Sequence, residues 1–275
     1  MAFFFLQTME SEPVKVLTIA GSDSGGAAGL QADLKTWTTL GVYGMSVITV
    51  VTAQNSIQVD EVQFLSSDFV SAQLDSVLSD YGAHAAKTGF IGSSRLISVI
   101  SRKLQTFKPP ILVVDPVLVN QFGIAMFSHE VTDAYRNQLL PLANLITPNW
   151  REAALLTDLP LEHIKQHGVA TAVERLHAMG TANVLITGTS DSEHMIDYYS
   201  DGSQLLQLAT PKIKTTNRHG SGDTLSAAIC AFLAQGRPML DAIAEAQRFT
   251  ANALRTAASW RLGKGHGPLS HFPRD

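Results

Sequence analysis

Residues 217–224, NRHGSGDT, place two glycines and an acidic residue at the predicted start of a helix. The N–H groups of Gly220, Ser221 and Gly222 can surround an anion there, and the helix macrodipole adds to the attraction. Asp223 in the first turn can accept a proton from a hydroxyl group that attacks a phosphorus atom. The motif therefore predicts phosphoryl transfer, although Asp223 also suits a plain helix start, where its charge merely complements the dipole.

Two other turns that follow predicted strands contain residues able to contact a ligand. Residues 20–29, AGSDSGGAAG, form a turn of small residues that lets the backbone approach a ligand and leaves Asp23 to bond it. The alternative is a tight connection in which Asp23 caps the next helix. Residues 52–55, TAQN, carry Gln54, whose amide can read the donors and acceptors of a heterocycle or serve the turn itself.

Acidic residues lie after two further predicted strands. Asp115 ends one strand, and Glu152 with Asn149 opens the helix after the other. Carboxylates near a phosphate site typically serve a hard cation such as Mg²⁺, although capping of a helix by Glu152 and a turn at Asp115 are the plainer alternatives. Lys264, in a glycine-rich turn near the C-terminus, can reach a phosphate or remain solvated.

The composition excludes several classes of protein. The chain has 275 residues, a net charge of -4, 45% hydrophobic residues and 16% charged residues, which is typical of a globular domain with a substantial core. It contains no basic cluster, so neither nucleic acid nor a membrane is an expected partner. The expected partner is a small neutral or anionic ligand. Walker, G-x-S-x-G and zinc-site patterns are absent. The single cysteine allows no intramolecular disulfide, and the expected location is cytoplasmic.

Short β-branched runs alternate with stretches of helical period, which is the pattern of a mostly parallel sheet covered on both faces. A hairpin around Asp201 and Gly202 predicts an antiparallel margin, and Asp68 is the expected N-cap of the second helix. We expect a tail over residues 1–13 and one αβα domain over residues 14–275. The predicted strands are 14–20, 45–51, 111–115, 145–147 and 184–187, and the predicted helices are 29–40, 68–80, 94–104 and 130–140.

Seven motifs in order resemble the bacterial hydroxymethylpyrimidine/phosphomethylpyrimidine kinases of thiamine biosynthesis. The resemblance implies a ribokinase-like αβα fold and a homodimer. It also implies an enzyme that uses Mg-ATP to phosphorylate 4-amino-5-hydroxymethyl-2-methylpyrimidine and then phosphorylates the monophosphate to the diphosphate. The motifs are AGSDSGGAAGLQADLK (20–35), TAQN (52–55), AKTG (86–89), VDPV (114–117), ITPN (146–149), HGSGDTLSAA (219–228) and GKGHGP (263–268).

Family roles transfer to matching positions of this chain. The resemblance implies that Gln54, Gly21, Asp23, Phe90 and Val117 bind the pyrimidine. It implies that Asn149, Thr187, His219 and Lys264 bind ATP, and that Asp115 and Glu152 lie near Mg²⁺. It assigns the anion hole to Gly220, Ser221 and Gly222, beside Asp223, the catalytic base that the start of the helix predicts.

Three positions depart from the family pattern. Asp223 stands where the family usually has a cysteine, whereas vitamin B6 kinases of the same superfamily often have aspartate, so a pyridoxal or pyridoxine kinase is the alternative. Thr187 stands where a lysine commonly reaches the nucleotide phosphates, which favours a third possibility, a non-catalytic pyrimidine-binding module. Phe90 replaces the usual methionine after the Lys-x-Gly motif, where it can narrow the pocket or stack on a ring.

Overall fold

A computed structural model describes residues 12–120 and 123–273, so most of the predicted N-terminal tail lies outside the described residues. The strands form one nine-stranded sheet in the order β3-β2-β1-β4-β5-β6-β7-β8-β9. Their bounds are β1 Lys15–Asp23, β2 Tyr43–Gln54, β3 Val59–Phe64, β4 Ala85–Thr88, β5 Leu112–Val114, β6 Leu145–Ile146, β7 Val184–Ser190, β8 His194–Ser200 and β9 Leu205–Pro211.

The six central strands, from β2 to β7 in the sheet order, are mutually parallel. Both margins are antiparallel, because β3 pairs with β2 at one edge and the hairpin β8–β9 follows β7 at the other. Strands β4, β5 and β6 are short and fully buried, as expected for a sheet covered on both faces. The predicted hairpin is confirmed, and so is the mostly parallel α/β fold.

Helices cover both faces of this sheet and complete the predicted three layers. Two short π-helical turns, Tyr135–Leu139 and Ile164–Gly168, and a 3₁₀ turn, Leu140–Leu142, interrupt the α-helices. The helices are α1 Gly29–Thr39, α2 Ser67–Asp80, α3 Ser94–Phe107, α4 His129–Ala134, α5 Trp150–Thr157, α6 Leu161–His163, α7 Val169–Ala178, α8 Ser221–Ala234 and α9 Met239–Ala257.

The core divides into two clusters, one on each side of the sheet. Helices α1, α8 and α9 pack on one face, where Trp37 is fully buried and donates its indole N–H to the carbonyl of Ala227 at 2.8 Å. Helices α2, α3, α5 and α7 pack on the opposite face. Successive residues of β1 serve the two faces in turn, with Val16 in one cluster and Leu17 in the other. Strand β1 therefore contacts both helical layers, and the glycine-rich turn connects it to α1.

Two local predictions differ from the structure. Strands β3 and β4 were not predicted. All six residues of β3 are exposed, so its sequence has no buried face to produce alternation. Strand β4 has only four residues and includes the charged Lys87, so it does not form an apolar run. The N-cap of α2 is Ser66, whose hydroxyl accepts the N–H of Phe69, whereas Asp68 lies inside the first turn. Within the part of the chain that the structure describes, no helix is both long and apolar enough to cross a membrane.

Candidate active site

The predicted site residues meet at one edge of the sheet, where the parallel strands end. The glycine-rich turn follows β1, Gln54 ends β2, Gly89 follows β4, and Asp115 follows β5. The N-terminus of α8 joins them, since the carbonyl of Ala27 in the glycine-rich turn would lie 1.9 Å from a Cβ on Gly220. Ligands of open α/β sheets bind at this edge, so the arrangement defines the candidate active site.

The first turn of α8 presents backbone N–H groups beside Asp223. Gly220 is the N-cap with φ of 83°, a conformation that glycine adopts without strain. Gly222 opens onto space, because no atom lies within 4 Å of where its Cβ would be. The Ser221 N–H already donates to the carbonyl of Arg218 at 3.2 Å, so Gly222 and Asp223 are better placed than Ser221 to donate to an anion.

Asp223 is 16% exposed and contacts a buried ion pair that the sequence analysis did not assign to the site. The ammonium of Lys87 lies 3.7 Å from Oδ1 of Asp223, and 2.9 Å from Oδ1 and 3.0 Å from Oδ2 of Asp33. Burial raises the pKa of Asp33 to about 7, against the opposing effect of Lys87. Burial lowers the pKa of Lys87, but the neighbouring carboxylates outweigh burial, so the net shift is upward and the side chain is a cation at neutral pH.

Asp115 and Glu152 are both buried near the end of β5. Oδ2 of Asp115 accepts the hydroxyl of Ser226, one turn after the α8 N-terminus, at 2.8 Å. Burial raises the pKa of Asp115 to about 6, and burial together with the nearby Asp115 raises the pKa of Glu152. Glu152 accepts the N–H of Leu118 at 3.2 Å and of Asn149 at 2.9 Å. Glu152 therefore completes a capping box with Asn149, as the plainer alternative predicted.

The carboxylate of Asp23 is engaged within its own turn, contrary to the expectation that it is left for a ligand. It accepts the N–H groups of Gly25 at 2.8 Å and of Ala27 and Ala28, both at 2.9 Å. These bonds use both carboxylate oxygens and supply acceptors for three N–H groups of the turn. Asp23 therefore shapes the turn, and its contact with substrate stays a prediction.

Gln54 lies against His219 at the mouth of the site. Their Nε2 atoms are 2.9 Å apart, and Oε1 of Gln54 accepts the hydroxyl of Thr52 at 3.2 Å. His219 Nε2 also lies 3.7 Å from the carboxylate of Asp23. His219, which the resemblance assigns to ATP, thus contacts two residues predicted to bind the pyrimidine. These contacts fix the orientation of the Gln54 amide.

Aromatic rings line the neighbouring wall. Phe90 packs against Phe64 and Phe127 with ring centroids 6.5 and 5.6 Å apart. A Cβ on Gly21 would lie 2.9 Å from Phe90 and 2.7 Å from Val50, so glycine is required where β1 passes the ring. Val117 is half-buried after Asp115. The wall suits a flat apolar ring, as the sequence predicts for Phe90.

The residues assigned to ATP do not form one cluster. Asn149 and Thr187 form a parallel β-bridge at the ends of β6 and β7, and the Asn149 side chain caps α5. Lys264 is exposed, and its backbone N–H donates to the hydroxyl of Ser56 at 3.1 Å, next to the end of β2. Lys264 and His219 therefore lie on the Gln54 side, and Asn149 and Thr187 mark the other end of the site.

The carboxylates fit a hard cation of the kind predicted. Among residues 12–120 and 123–273, no three His, Cys, Asp or Glu side chains converge on a common point. Mg²⁺ in kinases is typically held by one or two carboxylates, water and phosphate oxygens, which needs no such cluster. A cation near Asp115 would offset the burial of its charge and its repulsion with Glu152. Mg²⁺ itself stays a prediction.

Asp33 and Lys87 are the residues of the site that the sequence analysis left without a role. Both lie in motifs that carry the resemblance, and a lysine within the strand Ala85–Thr88 was the available signal. Lysine is rarely buried unless it is paired. Its partner lies 54 positions earlier on a helix, so spacing along the chain did not reveal the pair.

Comparison with known proteins identifies the family of the chain. A family profile described as phosphomethylpyrimidine kinase matches residues 23–270. The chain is 42% identical over 259 residues to the hydroxymethylpyrimidine/phosphomethylpyrimidine kinase of Rhizobium meliloti, covering 94% of this chain and 97% of that protein. It is 44% identical to the chloroplastic thiamine biosynthetic bifunctional enzyme of Arabidopsis thaliana, covering 94% of this chain and 50% of that enzyme. The chain thus spans about half the length of such bifunctional relatives.

Solved structures resemble the fold over nearly its whole length. An ADP complex of Bacillus subtilis pyridoxal kinase has a TM-score of 0.85 and 34% identity, covering 94% of this chain and 97% of that one. The phosphomethylpyrimidine kinase of Clostridium difficile 630 has a TM-score of 0.76 and 33% identity, covering 88% and 99%. The fold and the site place the chain in the class of ribokinase-like small-molecule kinases. Within that class, it belongs to the phosphomethylpyrimidine kinase family, as the motifs predicted.

Proposed function

We propose that the chain transfers the γ-phosphoryl group of ATP to the hydroxymethyl oxygen of 4-amino-5-hydroxymethyl-2-methylpyrimidine, and then phosphorylates the resulting monophosphate. The observation that carries this proposal is the position of Asp223, whose carboxylate lies in the first turn of α8 beside the N–H groups of an anion cradle. Family membership supports the acceptor, since the Rhizobium relative is named for both reactions.

The residues of the chain divide the work of transfer. Gln54 and the wall at Phe90 orient the ring, so that its hydroxymethyl group lies next to Asp223. Asp223 accepts the proton of that hydroxyl as the oxygen attacks the phosphorus atom. The N–H groups at the start of α8 bind the oxygens of the transferred group, where negative charge is greatest in the transition state.

Asp115, with Glu152 behind it, would hold Mg²⁺ through an oxygen that Ser226 does not occupy. The ion would neutralise phosphate charge when bound. Asn149 and Thr187 would contact the nucleotide at the far end of the site. ATP as the donor is supported by the solved pyridoxal kinase complexes with ADP and with an ATP analogue.

Replacing Asp223 by asparagine tests the assignment. General-base catalysis is typically worth a factor of about 10² to 10⁴, so kcat for the hydroxymethylpyrimidine should fall by that factor, or about 3–5 kcal/mol, while ATP still binds. The second phosphorylation should suffer less, because a phosphate monoester is already ionised and needs no strong base. Near-normal kcat in both steps would reject Asp223 as the base.

Pyridoxal is the second candidate acceptor. The likeness to Bacillus subtilis pyridoxal kinase favours it, since that TM-score of 0.85 exceeds the 0.76 of the Clostridium difficile enzyme. The curated relatives at 40–42% identity are named for the pyrimidine, which is why we place the pyrimidine first. A binding module without turnover is disfavoured by the intact Asp223 and Asp115.

We also propose that the chain forms a homodimer, as the family resemblance implies. The margin formed by β2 and β3 exposes several apolar side chains that suit a second copy, namely Val51, Val59, Val62 and Phe64. Light scattering on the wild type and on Val62→Asp would test this. A dimer that dissociates in the variant supports the proposal, and a monomeric wild type rejects it.

A further inference from the structure

Lys87 is a fully buried lysine in the middle of the sheet. Burial of an ammonium group costs several kcal/mol unless it is paired and hydrogen-bonded, so its partners are required by the fold. Asp33, which is also fully buried, supplies both carboxylate oxygens within 3.0 Å. The hydroxyl of Thr18 in β1 donates to Oδ2 of Asp33 at 2.6 Å, which gives this carboxylate a second buried partner.

The same ammonium also faces the active site. It lies 3.7 Å from Oδ1 of Asp223, so one cation stands between a carboxylate of α1 and a carboxylate of α8. Gly89 makes this approach possible, because a Cβ there would lie 3.3 Å from the ammonium and 3.9 Å from Asp223. Lys87 itself has no exposed surface and therefore contacts neither the solvent nor the mouth of the site.

A carboxylate within an anion cradle faces two physical problems. Its charge repels the phosphoryl group that the cradle attracts, and its oxygens are free to rotate away from the hydroxyl that it must deprotonate. A cation held next to the carboxylate reduces both the repulsion and the rotation, because it offsets the negative charge and attracts one oxygen. The other oxygen then remains directed toward the substrate.

We propose that Lys87 is a positioning residue for phosphoryl transfer, which is held by Asp33 and Thr18, orients the carboxylate of Asp223 and offsets its charge beneath the anion cradle. The inference rests on the proposed role of Asp223 as the base. Lys87 does not touch substrate, so its effect is exerted through Asp223. Asp33 in turn offsets part of the positive charge of Lys87 and so weakens the attraction between Lys87 and Asp223.

Opposite shifts in the pH profile are expected when either member of the pair is neutralised. Lys87→Met leaves Asp223 without its cation, which favours the protonated carboxyl and moves the acid limb of the kcat profile to higher pH. Asp33→Asn leaves the lysine charge uncompensated and moves that limb to lower pH. The charged or titratable groups that interact with Asp223 include Lys87 in β4, Asp33 in α1, Asp115 after β5, and His271 in the C-terminal segment.

The test measures kcat against pH, with Mg-ATP and hydroxymethylpyrimidine, for the wild type, Lys87→Met, Asp33→Asn and Lys87→Arg. We expect a tenfold or larger loss of kcat in Lys87→Met, partial recovery in Lys87→Arg, and acid limbs displaced in opposite directions by at least half a pH unit. Lys103→Met is the matched control, since Lys103 in α3 forms a partly exposed ion pair with Asp75 in α2 at 2.6 Å, on the face of the sheet opposite to α8. It should retain the wild-type profile.

Loss of stability alone does not produce these results. If Lys87→Met fails to fold, the near-isosteric Asp33→Asn decides the question through the direction of its shift. Folded variants with unmoved acid limbs would overturn the role of Lys87, provided that Asp223→Asn is inactive. Full activity of Asp223→Asn would instead reject Asp223 as the base, the part of the proposed function on which the inference rests, so the two failures are distinguishable.

Discussion

The two ends of the candidate site are built differently. At the end next to the proposed base Asp223, which we call the base end, three buried residues are joined by hydrogen bonds. Asp33 accepts the hydroxyl of Thr18 and the ammonium of Lys87. At the other end, which we propose for the nucleotide and call the nucleotide end, Thr187 is half-buried, and a β-bridge joins it to Asn149. The base end is therefore assembled by the fold before any ligand arrives, whereas the nucleotide end leaves room for different side chains. The replacement of the usual lysine by Thr187 occurs at the end that can accept it.

The largest expected effect on stability is that of Gly220→Ala, which disrupts the contact between α8 and the glycine-rich turn at the base end. The new Cβ would lie 1.9 Å from the carbonyl oxygen of Ala27, at a φ of 83°. Left-handed backbone strain and overpacking together should lower the free energy of unfolding by about 2–5 kcal/mol. Urea denaturation measures this, and unchanged stability would show that the turn after β1 does not fit tightly against α8.

Gly222→Ala, two residues further on, separates binding from stability. No protein atom lies within 4 Å of that Cβ, so the free energy of unfolding should stay constant or rise by up to about 1 kcal/mol. The methyl group should nevertheless crowd the phosphoryl group and lower kcat/KM about tenfold or more. Normal activity in this variant would mean that the phosphoryl group does not bind at Gly222.

At the nucleotide end, Thr187→Lys should improve the site rather than break it. A lysine there would supply the charge that the family commonly has, and a charge-assisted contact to phosphate should lower KM for ATP by about threefold to tenfold. Ala182→Lys adds the same charge at an exposed position before the other end of β7 and is the control. Equal effects of the two variants would show that Thr187 does not face the nucleotide.

The smallest expected effect concerns the support behind the base end. His271 lies 2.9 Å from the hydroxyl of Thr224 in α8, and burial, with Lys35 nearby, lowers its pKa from 6.5 to about 4. Because the folded pKa is below the unfolded value, the stability gained from the neutral ring is complete above pH 6.5 and is lost as pH falls toward 4.

His271→Asn should therefore show a smaller loss of unfolding free energy between pH 6.5 and 4 than the wild type does. The exposed His129, replaced in the same way, is the control and should follow the wild type. Parallel curves for all three proteins would contradict a linkage between His271 and the stability of the α8 N-terminus.

The sequence sufficed for the fold class and for the edge of the sheet where the site lies, because both follow from local patterns. Apolar runs between helical stretches predicted five of the six parallel strands but not β4, which has four residues and includes Lys87. The glycine pair before Asp223 predicted the start of α8. Strand β3 was not predicted because its exposed residues show no hydrophobic periodicity.

The partners of buried charges were beyond the reach of sequence spacing. The sequence left Asp23 either to a ligand or to its own turn, and in the structure it accepts three N–H groups of that turn. Lys87 and Asp33 meet across two elements, and their pairing depends on how α1 packs on β4. Such contacts are set by tertiary structure, so motifs indicate which residues belong to a site but not which of them hold the others in place.

The most direct test of the central claim is the acceptor preference of the wild-type chain. We would measure ADP release from Mg-ATP with four separate acceptors: hydroxymethylpyrimidine, its monophosphate, pyridoxal and pyridoxine. The account predicts the highest kcat/KM for the pyrimidine, turnover of its monophosphate, and poor turnover of both B6 vitamers. Preference for pyridoxal, or no turnover of any acceptor, would contradict it.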